Sequence, residues 1–177
     1  GYNYSYMTVN DMNGDGYNYD AIYVPTDAEV ESGAFRFVSQ DDQDRFMGFL
    51  HNNKSLSKYQ GKYAEGYSVY NPWVHRVDFS YKHDFKLNIG STKHTLQLGI
   101  DIKNLLNLFN SSWGVSKTLN SAIGSDARIL KYEGVDAQGI ATFSTPSAIN
   151  ADTKLFTPLH ALGQCWNMGI TVKYIFN

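Results

Sequence analysis

Thr95-Leu96-Gln97-Leu98-Gly99-Ile100-Asp101-Ile102-Lys103 alternates without a break, with Leu96, Leu98, Ile100 and Ile102 standing between Thr95, Gln97, Gly99, Asp101 and Lys103. A period of two sends the two sets to opposite sides of an extended chain, so this stretch reads as a strand with one apolar and one polar face. The pattern recurs on both sides of it. From Arg76 to Leu87 the apolar residues are Val77, Phe79, Tyr81, Phe85 and Leu87, interrupted by His83, and the intervening ones are Arg76, Asp78, Ser80, Lys82, Asp84 and Lys86. From Trp166 to Phe176, Trp166, Met168, Ile170, Val172, Tyr174 and Phe176 alternate with Asn167, Gly169, Thr171, Lys173 and Ile175. Strands are therefore expected over 74–87, 94–106 and 164–176.

Length carries as much information as alternation. A globular strand runs about 5–6 residues, whereas one that crosses an outer membrane needs about 9–11. All three stretches belong to the longer class, and their aromatics gather at the ends, as at a membrane interface. The charges Arg76, Asp78, Lys82, Asp84, Asp101, Lys103 and Lys173 share the polar faces. In a dry core they would be costly; lining a wet lumen they would not.

The connections are unequal. Asn88-Ile89-Gly90-Ser91-Thr92-Lys93 is a short turn, whereas 7–73 and 107–163 are long and rich in Gly, Ser, Asn and Tyr. Short turns on one side and long loops on the other are the habit of outer-membrane barrels. Within 7–73 one helix is expected, Asp41 to His51, capped by Ser39 or Asp41 and with Phe46, Phe49 and Leu50 on one side; Gly48 counts against it. Residues 1–6, with Tyr2, Tyr4 and Tyr6, read as the end of another strand. Three or four strands cannot close a barrel, for which about eight is the minimum. These residues are therefore either a fragment of a larger barrel or a soluble domain that imitates one; the expected fold class is all-β, an antiparallel transmembrane β-barrel to which they supply three to four strands and two long extracellular loops.

Composition agrees with a β-rich chain. Of 177 residues, 15% are aromatic, 13 of them Tyr, and only 18% are charged. The net charge of −2 leaves no basic footprint for nucleic acid. With a mean hydropathy of −0.38, no stretch approaches a membrane-spanning helix. One cysteine, Cys165, allows no disulfide within the chain and no cysteine-cluster metal site. Nine of the seventeen acidic residues fall before residue 46, against Arg36 and Arg45 alone.

Several motifs, taken in order, resemble one family. Asp11-Met12-Asn13-Gly14-Asp15-Gly16 followed by Asp20-Ala21-Ile22-Tyr23-Val24-Pro25 is similar to a segment of the TonB-dependent outer-membrane receptors of Bacteroidetes, the Oar-like group related to SusC. Leu56-Ser57-Lys58-Tyr59-Gln60-Gly61-Lys62-Tyr63-Ala64-Glu65 and Asn71-Pro72-Trp73-Val74-His75-Arg76-Val77-Asp78 resemble further runs of that group. So do Asp101-Ile102-Lys103-Asn104-Leu105-Leu106-Asn107, the later Trp113-Gly114, and the aromatic ending Tyr174-Ile175-Phe176-Asn177. Tyr19-Asp20 departs from the family's Asn-Asp, and Asn177 follows an aromatic where many relatives stop. The resemblance implies a bacterial outer-membrane location with extracellular loops, and nutrient uptake as part of an active transporter. It also implies partners: the remainder of the barrel and its plug, TonB acting through that plug, outer-membrane lipid, and a SusD-like lipoprotein.

Candidate sites follow from the residues. Asp11, Asn13 and Asp15 place oxygen ligands at alternate positions before Gly16, and Asp20 supplies a late carboxylate; this is part of a Ca²⁺ loop, although Ile22 stands where an EF-hand needs Glu. The competing reading is an Asx turn ordered by its own backbone. Tyr17, Tyr19, Tyr59, Tyr63 and Trp73 are candidate substrate-stacking aromatics. The seven charges named above are the candidate lumen lining. His51, His75, His83, His94 and His160 have no H-E-x-x-H spacing, and no nucleophile elbow or phosphate loop is present, so no enzyme is expected. The other function class compatible with these residues is a secreted, calcium-stabilised β-sandwich binding or adhesion module.

Overall fold

In the computed structural model, residues 3–124, 126–159 and 161–176 are described. Tyr2, His160 and Asn177 lie outside them. The chain divides into two compact units, one formed by Gly1–Asn71 with Thr118–Thr157, the other by Pro72–Lys117 with Pro158–Asn177. In chain order the strands are β1 (Asn3–Tyr4), β2 (Met7–Val9), β3 (Tyr19–Ala21), β4 (Tyr23–Val24), β5 (Arg36–Phe37), β6 (Lys62–Tyr63), β7 (Val69–Tyr70), β8 (Phe79–Ile89), β9 (Thr92–Lys103), β10 (Lys117–Leu119), β11 (Arg128–Val135), β12 (Ala141–Ser144), β13 (Phe156–Pro158) and β14 (Asn167–Phe176). The α-helices are α1 (Asp27–Glu31), α2 (Gln40–Asn52), α3 (Lys54–Ser57) and α4 (Leu105–Phe109).

This corrects the expected fold class. The protein is mixed α/β, with four helices, 39% strand and several small sheets, none of which closes into a barrel among the described residues. The two stretches read as long loops fold together. Their five-stranded sheet has the order β3-β2-β11-β12-β5, and it is mixed: β11 runs parallel to β2 and β12 parallel to β5. Each parallel pair joins one stretch to the other across more than 100 residues of sequence.

Local chemistry explains the helices of this unit. Ser39 caps α2, its hydroxyl accepting from the Asp42 N–H at 3.1 Å, and Phe46, Phe49 and Leu50 are fully buried on one side. Burying three such side chains is worth about 1.5–3 kcal/mol each. Gly48 has a packing reason: a Cβ there would lie 2.8 Å from the Cβ of Ala151, so the helix admits that segment only because position 48 has no side chain. Thr26 and Glu29 form a capping box for α1. Asp42 accepts from the Thr145 N–H at 2.9 Å and pairs with Arg45, tying α2 to the chain that leaves β12.

The second unit holds the three long strands, in the order β14-β9-β8, all antiparallel. The alternation expected over 74–87, 94–106 and 164–176 resolves into strands of 11, 12 and 10 residues. β8 and β9 are joined by Gly90-Ser91, with Gly90 at φ +63°, as a two-residue II′-type hairpin requires. β9 stops at Lys103 because Asn104 turns left-handed, with φ +53°.

Candidate functional site

Register converts the sequence alternation into rungs. On one face lie Phe79–Ile102–Met168, then Tyr81–Ile100–Ile170, His83–Leu98–Val172, Phe85–Leu96–Tyr174 and Leu87–His94–Phe176. The inner rungs carry the aliphatic residues of β9 and β14, while Phe79, Tyr174 and Phe176 sit towards the ends. Tyr81 stacks on His83, whose ring meets Phe85 edge-on at 4.5 Å; at the hairpin end His94 bonds to the Tyr174 hydroxyl. No described residue of the unit covers this face: Ile170 is 70% exposed and Val172 66%. A contiguous uncovered apolar face of this kind marks an interaction with protein or membrane.

The other face carries Ser80–Asp101–Gly169, Lys82–Gly99–Thr171, Asp84–Gln97–Lys173 and Lys86–Thr95–Ile175. Five of the expected lumen charges, Lys82, Asp84, Asp101, Lys103 and Lys173, thus fall on a common face. Ser80 donates to Asp101 at 2.5 Å and Gln97 to Asp84 at 2.8 Å. Gly99 leaves room for the Lys82 stem, which would stand 3.3 Å from a Cβ at that position. Arg76 and Asp78 precede β8 and pair with each other at 3.5 Å.

The expected substrate aromatics are dispersed. Tyr17, Tyr19 and Tyr63 are exposed in the first unit; Arg128 lies over the Tyr19 ring at 4.4 Å, and Tyr63 meets Tyr23 edge-on. Tyr59 is corrected: it is 3% exposed, packed in the core beneath Lys58 and Lys62, and is not available for stacking. Trp73 belongs to the second unit and is 92% exposed. It borders an open cleft of 420 Å³ with His75, Leu106, Trp113, Gly114 and Lys117.

Two asparagines of the same unit carry no signal in the sequence that marks them. Asn104, fully buried, donates from Nδ2 to the carbonyls of Gly114 at 3.2 Å and Gln164 at 2.7 Å. Asn107 donates to the carbonyls of Ser111 and Trp113 and accepts from the Trp166 N–H. From the N-cap position and the body of α4, the two amides hold the two loops that flank the sheet. Gly114, at φ +65°, passes so close that a Cβ would overlap Asn104 Oδ1.

The acidic loop orders itself. Asp11 accepts from the N–H groups of Gly14 at 2.6 Å and Gly16 at 2.8 Å; Asn13 accepts from Asp15 N–H, and Asp15 from Tyr17 N–H. The Gly16 N–H, and after it those of Gly14 and Asp15, hold the Asp11 carboxyl below the usual carboxylate range. Asp20 turns away to the Met12 N–H at 2.7 Å. Oxygens that a cation would need are thus directed at backbone donors. Among the described residues no group of three acidic, His or Cys side chains is placed to hold a metal.

Comparison with protein-family models, with curated proteins and with solved structures finds no match for this chain.

Proposed function

We propose that this protein serves nutrient uptake at a bacterial outer membrane, as part of a TonB-dependent active transporter. The observation that carries the reading is the uncovered apolar face of the β8–β9–β14 sheet, aliphatic along most of β9 and β14 and aromatic along β8 and at Tyr174 and Phe176. An 11-residue strand spans about 35 Å, and inclined at about 40° it rises about 27 Å, close to the ~25 Å apolar band of an outer-membrane protein. The opposite, charged face suits contact with water. The sequence motifs supply the family; the first unit, with its exposed tyrosines, supplies an external domain able to meet a solute. By the same resemblance, energy comes through TonB and a plug that these residues do not include, and no bond is made or broken.

Neighbouring residues on opposite faces give the test. In cells expressing the protein, wild type and Thr171→Arg are expected in the outer-membrane fraction. Ile170→Arg should be depleted there, because an arginine near the bilayer midplane costs about 2–4 kcal/mol. Recovery of the wild type in the aqueous fraction without detergent, or equal behaviour of the two variants, would overturn the reading.

A further inference from the structure

The charge on the sheet is graded along its length. Around the end where β9 meets α4, Arg76, Asp78, Asp101 and Lys103 balance. Towards the hairpin the side chains are Lys82, Lys86, Lys93 and Lys173 against Asp84 alone, and Asp84 already accepts from Gln97. Among the described residues, the last two polar rungs, Lys86–Thr95–Ile175 and Asn88–Lys93, carry two ammonium groups and no carboxylate.

Two clefts meet at this end. One, of 360 Å³, is lined by Lys86, Asn88, Lys93, His94, Thr95 and Ile175, with no acidic side chain among these described residues. The other, of 410 Å³, is lined chiefly by apolar side chains, among them Phe85, Leu87, Leu96 and Tyr174. Lys86 and His94 border both. Lys86 lies on β8, an edge strand of the sheet. A cationic cleft adjoining an apolar one matches a ligand with an anionic head and a hydrocarbon tail. A free phosphate would use only the first, and a neutral hydrocarbon only the second.

We propose that the hairpin end of this sheet binds anionic phospholipid of the leaflet it enters, Lys86 and Lys93 holding the phosphate and the Phe85–Leu87–Tyr174 cleft the acyl chain. The proposal rests on the membrane reading above and adds which end of the sheet meets the phospholipid and with what side chains. Lysines near an anionic surface act within a Debye length, so this contact weakens with salt.

The test is flotation of the 177-residue protein with vesicles of phosphatidylcholine alone or containing phosphatidylglycerol. Wild type should bind the anionic vesicles more tightly. Lys86→Gln/Lys93→Gln should lose about 30-fold on them, at about fivefold per lysine, and nothing on phosphatidylcholine. A charge-matched pair in the first unit, Lys54→Gln/Lys154→Gln, should bind like wild type. Leu87→Ser, at an exposed position, should weaken binding to both vesicles. Equal affinity of wild type for both vesicles, or an equal loss in the two lysine pairs, overturns the lipid site while leaving the membrane reading intact. Displacement by inorganic phosphate at the lipid-phosphate concentration assigns the cleft to free phosphate and also overturns it. Binding to neither vesicle, with the protein self-associated in sedimentation, overturns both readings.

Discussion

Asn104 is the residue at which substitution should discriminate most sharply. Its Nδ2 donates to two carbonyls from different loops, its backbone is left-handed, and it has no solvent exposure. Asn104→Asp keeps the shape and replaces the donor by an oxygen facing those two carbonyls. An uncompensated buried charge costs about 3–5 kcal/mol. Asn104→Ala loses two hydrogen bonds at about 1 kcal/mol each and places a Cβ residue in left-handed backbone for about 1 more. Part of this is returned because Oδ1, which has no hydrogen-bond partner, is removed; about 2–3 kcal/mol remains. Asn104→Gly loses the same bonds without the backbone strain, leaving about 1–2 kcal/mol. The expected order of damage is Asp, then Ala, then Gly.

The assay is built into the chain. All three tryptophans, Trp73, Trp113 and Trp166, lie in the second unit, so urea unfolding followed by indole fluorescence reports that unit alone. Midpoints should fall in the stated order at neutral pH. The deficit of Asn104→Asp should shrink as pH falls, because burial raises the new carboxyl's pKa and its protonated form can donate again. If Asn104→Asp is no less stable than Asn104→Ala, or Asn104→Gly is the worst of the three, the clamp does not hold the loops and the reasoning fails.

Two further outcomes concern the first unit. Burial pushes the Asp42 carboxyl up, but the Ser39 hydroxyl, the Thr145 N–H and Arg45 together outweigh it and hold the carboxyl below its ordinary value. A depressed carboxyl contributes stability that is complete above its unfolded pKa of about 3.9 and lost as pH falls through the folded value; tyrosine near-ultraviolet dichroism should show acid softening that Asp42→Asn lacks, and identical acid profiles would refute it. At the Asp11–Asp20 loop, calcium or a chelator should leave the melting temperature unchanged, since a site filled at a hundredfold excess over Kd would raise it by several degrees; a rise of that size would restore the cation-loop reading.

What the sequence disclosed divides along the length of its signals. β8, β9 and β14 run ten residues or more, long enough for a period of two to stand out, and α2 announces itself through Ser39 and the Phe46–Phe49–Leu50 stripe. The five-stranded sheet was illegible because its strands have two to eight residues and its parallel pairs join Met7 to Arg128 and Arg36 to Thr142. Periodicity cannot encode such partners, so folded segments read as loops. Tyr59 misled for a related reason. Within Lys58-Tyr59-Gln60-Gly61-Lys62 it has the neighbours of an exposed turn, yet those two lysines are what roofs it. Asn104 and Asn107 stood in a quoted motif without a role, since their partners are backbone carbonyls, which every residue offers.

The two units use apolar side chains in opposite ways. In the first, Ile22, Phe46, Phe49, Leu50, Ile129 and Ile149 have no exposure at all and belong to one buried core. In the second, the apolar rungs from Phe79 to Phe176 remain open among the described residues, although register and alternation sort them onto one face, with His83 and His94 among them and Ile175 on the other. Chance would not keep Met168, Ile170, Val172, Tyr174 and Phe176 in step with Ile102, Ile100, Leu98, Leu96 and His94 while every lysine of the three strands goes to the other side. Covering a dozen or more such side chains at about 1 kcal/mol each offers upwards of 10 kcal/mol, comparable with the whole stability of a typical domain. A face of that worth makes its surroundings part of the fold. The proposed contact with lipid answers to three features present together here: an open apolar face, strand length near the bilayer's, and cations gathered at one end.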